Sequence, residues 1–91
     1  MPTQIVGGAI LTCASTSTTA TSATCGGPKL DTLDIRLAVS EASAICAVVT
    51  RNNFNTASGS GSASPLAIWN GTTWELSSVA DTPMTNIVCN R

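Results

Sequence analysis

The sequence predicts a small all-β protein, an antiparallel sheet, sandwich or open barrel with an extended polar N-terminal segment. Three observations lead there. Leu33 to Val39 alternates apolar and polar residues with a period of two. Residues 65–76, PLAIWNGTTWEL, set Asn70-Gly71 between two β-prone runs, the strongest short hairpin signal. Elsewhere short apolar runs are separated by Gly, Ser, Asn and Pro at intervals of about 10 to 20 residues.

At 91 residues the chain makes one domain, 1–91. A chain of this size buries only about 60 to 65 % of its unfolded surface, so its core is expected to be weak and to need help from outside it. Charged residues make up 10 % of the chain, against about a quarter in an ordinary domain, so the surface is polar but hardly charged. The basic residues Lys29, Arg36, Arg51 and Arg91 are scattered among Asp31, Asp34, Glu41, Glu75 and Asp81. No basic patch forms to meet a phosphate backbone, and nucleic acid is not predicted as a partner. The best apolar run, AICAVV at 44–49, is of strand length, far short of the roughly 18 residues that span a bilayer, so no membrane is expected either. The apolar run Ile5 to Leu11 has no basic stretch before it, and no targeting signal is read there.

Residues 5–13 read as a β-branched strand containing glycine, and 14–28 as a polar arm or loop, with the Ser/Thr/Ala tract at 14–25 ending at Gly26-Gly27-Pro28. In LDIRLAV, Leu33, Ile35, Leu37 and Val39 share one face of a half-buried strand. A helix over 31–49 competes, because Leu30, Leu33 and Leu37 are helically spaced, but Glu41 lands on that apolar stripe. The strand is therefore preferred. After a turn near Ser40 to Ser43, AICAVV is apolar on both faces, as a central strand would be. Residues 52–64 form a Gly/Ser/Asn-rich loop with Phe54 as its one large apolar group. That ring either tucks back onto its own domain or anchors a neighbour.

In a two-residue type I′ hairpin at Asn70-Gly71, Trp69 faces Thr72 and Ala67 faces Trp74. Both indoles then share one face as diagonal neighbours, with Leu66 and Ile68 on the other. A ribbon apolar on both sides is either sandwiched inside the domain or covered by a partner. The set Trp69, Trp74, Phe54, Ile68 and Leu66 is thus the candidate interface. The tail segments ELSSVA and MTNIVC are expected to pair around Asp81-Thr82-Pro83.

The four cysteines, Cys13, Cys25, Cys46 and Cys89, form no CxxC pair, and the chain has no histidine. A zinc site would need a four-thiolate cage without its usual close pairs, so no metal is expected. One or two disulfides are open to this count, as is a set of buried thiols. Cys13 and Cys25, flanking the polar tract, are the best pair, while Cys46 looks like plain core. Without histidine the Ser-His-Asp and Cys-His constellations cannot form, and no glycine-rich phosphate cradle is present. Asp31 and Asp34 read as a solvated charged face rather than a calcium site. Asn70-Gly71-Thr72 also matches the N-glycosylation pattern, which the turn already explains. No enzyme activity and no cofactor are predicted.

The uncharged β character, the polar N-terminal segment and LAIWNGTT together resemble small head decoration (cement) proteins of tailed bacteriophages. The resemblance implies a homo-oligomer, a trimer above all, which clamps adjacent subunits of the major capsid protein on the capsid exterior after assembly in the host cytoplasm. VGGAILTC and DTPMTNIVC are similar to segments of PAAR-like spike-tip proteins of contractile injection machines, although the metal-binding histidines of those tips are missing. A disulfide-stapled secreted binding module is the third reading.

Overall fold

The computed structural model describes residues 9–91 in full and residues 4–6 as backbone. Gln4–Val6 (β1) pairs antiparallel with Ala9–Thr12 (β2), Ile5 standing opposite Ile10. The single strand expected over 5–13 is therefore two strands, and its positions 7 and 8 lie outside the described residues.

The expected polar arm is a second hairpin, Ser15–Thr18 (β3) with Ser22–Gly26 (β4). Its turn is made by the tract's own hydroxyls, since Thr19 Oγ1 accepts from the amides of Thr21 and Ser22. β3 is exposed along its whole length, while β4 buries Ala23 and Cys25 on alternate positions. A period of two was present in the tract, carried by residues too small to register as apolar.

Lys29–Leu30 (β5) and Leu33–Ile35 (β6) are joined by Asp31 and Thr32, both at positive φ (49° and 74°). A reversal with both central residues left-handed is the type I′ geometry that the sequence suggested for Asn70-Gly71. β6 is short, and Val39 is 68 % exposed instead of continuing its buried face.

The expected central strand at 44–49 is the second half of a helix, Val39–Val49 (α1). Ala42, Ile45, Cys46 and Val49 follow the i, i+3, i+4, i+7 spacing; the first three are buried and Val49 packs against them. The residue that argued against a helix, Glu41, is wholly buried, and Arg36 from outside the helix neutralises it. Thr50 ends the helix, its amide donating to the Cys46 carbonyl at 3.0 Å, and Arg51 leaves at φ 57°.

The Gly/Ser/Asn stretch is likewise structured, as Phe54–Gly59 (β7). Leu66–Trp69 (β8) and Trp74–Ser77 (β9) form the Trp hairpin, and Met84–Asn90 (β10) closes the chain. β9 and β10 lie in different sheets, so ELSSVA and MTNIVC do not pair; β10 is instead held between β4 and β7.

Among the described residues the larger sheet runs β1-β2-β5-β6-β8-β9, with β6 and β8 parallel, and the smaller runs β3-β4-β10-β7. Leu11, Leu30, Ile35 and Ala67 of the first sheet meet Cys25, Met84, Ile87 and Cys89 of the second, and Ala42, Ile45 and Cys46 of the helix join them. The fold is all-β in class, with one helix closing the core. Two disulfides cross it: Cys13–Cys25 beside the β3-β4 hairpin, and Cys46–Cys89 from α1 to β10. Cys46 is core, as read from the sequence, but it is also bridged.

Candidate functional site

The Trp hairpin turns through four residues, Asn70 to Thr73, so its register differs from a two-residue turn. Trp69 stands directly opposite Trp74 and Ala67 opposite Leu76. The loop is fastened by one side chain. Asn70 Oδ1 accepts from the amides of Thr72 and Thr73, both at 2.8 Å, and from Thr72 Oγ1 at 3.0 Å. Asn70 Nδ2 donates to Glu75 Oε1 at 2.8 Å. Only Gly71 takes the left-handed conformation, at φ 106°, a conformation that costs glycine little. The asparagine thus works as a side-chain clasp rather than as the left-handed residue of a I′ turn.

This register brings the two indoles into contact, their centroids 5.2 Å apart and their planes tilted by 59°. Aromatic pairs at such a distance and tilt contribute about 0.5 to 1.5 kcal/mol beyond their burial. Trp69 and Trp74 are each half-buried, and Trp74 also packs on the central core. The Trp74 indole N–H is buried and has no partner among the described residues. Leu76, on the same face two positions along, is 64 % exposed, and Val79 beyond it is 73 % exposed. Trp74, Leu76, Leu33, Leu30, Ala67 and Ala9 line a cavity of about 320 Å³ together with the charged residues Asp31 and Glu75.

The other members of the expected interface fare differently. Leu66 is fully buried, so it belongs to the core and leaves the set. Ile68 is half-buried on the face that carries Glu75. Phe54 sits in the edge strand β7, half-buried against the core, where it lines a separate cavity with Leu37, Val39, Ala42 and Ala57. The structure therefore brings Trp69 and Trp74 together and leaves Phe54 elsewhere. Leu76 and Val79 were missed, yet Leu76 follows Trp74 by the strand period, which was the signal for it.

Arg36 Nε donates to Glu41 Oε1 at 2.5 Å, and Ser40 Oγ donates to the other carboxylate oxygen. The hydrogen bond to Glu41 raises the Arg36 pKa above its ordinary value, with burial opposing and the charges of Glu41 and Asp81 adding. Arg36 is held to β8 by its amide, which donates to the Ala67 carbonyl. The pair ties the helix start to the larger sheet.

Fold and site together define a doubly disulfide-bonded two-sheet β module that carries an aromatic hairpin at one sheet edge. No protein-family model matches the chain, and no curated protein or solved structure shows detectable similarity to it.

Proposed function

We propose that the chain is a non-enzymatic structural protein of a virus particle, a decoration subunit that clamps neighbouring capsid subunits through its Trp hairpin. The observation that carries this reading is the edge of the larger sheet, where the half-buried Trp69–Trp74 pair shares its face with exposed Leu76. Apolar groups pooled in this way gain about 25 cal/mol per Å² when a partner removes them from water. The test is titration of the purified chain onto candidate capsids. Saturation at a copy number fixed by the lattice supports the reading, and absence of saturable binding overturns it. Trp69→Ala should weaken binding by about 2 kcal/mol, and it is the cleaner variant because Trp74 also supports the core.

A second reading, a secreted binding module, is favoured by the bridging of all four cysteines. Such bridges persist in oxidising surroundings, which include both the extracellular space and the surface of a released virion, but not the cytosol. Thiol counts on protein taken from particles still inside the host and from released particles separate the two. Bridges that form only after release fit a particle subunit, and bridges complete at synthesis fit export.

A further inference from the structure

We infer that Asn70 is a site of spontaneous chemical modification whose rate is set by the hairpin itself. Six asparagines occur in the chain, and only Asn70 precedes a glycine; the others precede Asn53, Phe54, Thr56, Ile87 and Arg91. A following side chain crowds the backbone nitrogen, and glycine has none. Gly71 is exposed, with open space where a Cβ would be. In the reaction the Gly71 backbone nitrogen, losing its proton to solvent base, attacks Asn70 Cγ. A new C–N bond closes a five-membered imide, and the Cγ–Nδ2 bond breaks as ammonia leaves with the proton. Water then opens the imide at either carbonyl, leaving a carboxylate on an aspartyl or isoaspartyl residue.

The folded loop resists the first step because both ends of the reacting amide are engaged. Oδ1 is held by Thr72 and Thr73 amides and by Thr72 Oγ1, and Nδ2 is held by Glu75. Turning Cγ toward the Gly71 nitrogen requires these bonds to be released together, so reaction proceeds through the opened hairpin and its rate follows the open population. The product cannot refasten the clasp. A carboxylate replaces the Nδ2 donor 2.8 Å from Glu75 Oε1, which exchanges a hydrogen bond for like-charge repulsion, and the isoaspartyl form adds a backbone carbon inside the turn that sets Trp69 opposite Trp74. The modification stands apart from the proposed function; only its consequence for a partner rests on the Trp pair being the docking surface.

The test follows the full, disulfide-intact chain at mildly alkaline pH in heavy-oxygen water, with isotope uptake at Asn70 located by peptide mass spectrometry. The folded chain should react at least about tenfold more slowly than the same chain reduced and denatured, tenfold corresponding to about 1.4 kcal/mol of opening. Glu75→Ala should raise the folded rate several-fold while leaving the denatured rate unchanged. Equal rates in folded and denatured chains, or label appearing first at another asparagine in the denatured chain, would overturn the inference. Aged protein enriched in the product should lose the coupled-indole circular dichroism signal. If that signal is lost while capsid binding is unchanged, the modification stands and the docking role of the Trp pair falls. If the signal survives full conversion, the claim that the product unfastens the turn falls.

Discussion

Glu41 shows how one residue can reverse the reading of a whole segment. A carboxylate on an apolar stripe is costly to bury alone, and that cost weighed against a helix. Arg36, five residues earlier and outside the helix, supplies the counter-charge. The partners are unequal, since Glu41 is fully buried whereas the Arg36 side chain is 33 % exposed. Arg36→Ala should therefore cost more than Glu41→Gln, because it strands a buried charge while the reverse change leaves an arginine that water can reach. Urea midpoints should show about 2 to 3 kcal/mol for the first, reduced from the fully buried case by solvent at Arg36, and about 1 kcal/mol for the second. The sign of the pH dependence follows from the raised Arg36 pKa. Its contribution is fully present below the unfolded value and is lost only as pH rises through the still higher folded value. The titration of Arg36 itself should therefore add no pH dependence to stability across neutral and mildly alkaline pH, read from urea midpoints of the wild-type chain.

Among the elements, β7 and the Trp hairpin depend on local devices that invite single substitutions. β7 pairs with β10 through two register shifts, one of which sets Phe54 opposite Cys89 while Thr56 meets Val88. That shift turns both Phe54 and Ala57 toward the core, a placement that strict alternation would deny them. At the other end of β7, a Cβ on Gly59 would meet the Pro83 carbonyl oxygen at 2.0 Å. The clash is with backbone, so Gly59→Ala should lower stability by about 2 kcal/mol or more and loosen β7 from β10, read as faster amide exchange at Thr56 to Ser58. In the hairpin, Asn70→Ala removes the acceptor of two loop amides. It should cost about 1 kcal/mol in a denaturant titration and diminish the coupled-indole dichroism, and Asn70→Asp, which turns the contact with Glu75 into a like-charge repulsion, should diminish that signal as well.

For the whole molecule the disulfides decide how much the small core must do alone. Cys13–Cys25 closes a separation of 12 residues and Cys46–Cys89 one of 43. On the chain-entropy account these contribute about 3 and about 4 kcal/mol, comparable to the net stability of a domain of this size. Paired serine variants should rank in that order, Cys46→Ser with Cys89→Ser being the more destabilising, and reductant should lower the melting temperature more than either pair does alone. The unreduced, denatured chain should show no reactive thiol, and four after reduction; any thiol before reduction would mean that a bridge is missing. The longer bridge also fastens α1 to the smaller sheet, so its loss should release the helix first, read as faster amide exchange along Ile45 to Val48.

How much was legible follows the range over which each signal acts. The β class, the Trp hairpin and the polar, nearly uncharged composition could be read along the chain, because alternation, turn chemistry and composition are properties of neighbouring residues. Tertiary structure decided the rest. The i, i+3, i+4 pattern of Ala42, Ile45 and Cys46 became a helix once Arg36 removed the objection raised by Glu41. The Ser/Thr tract and the Gly/Ser stretch became strands because β4 and β7 lie against β10, whose pairing neither segment encodes. The four-residue turn set the indoles opposite each other, since the Asn70 clasp holds Thr72 and Thr73 in the loop. Leu66 left the interface for the core because its strand is held between β6 and β9. A short strand of small polar residues has little preference of its own, and it takes its conformation from the neighbour that satisfies its backbone hydrogen bonds.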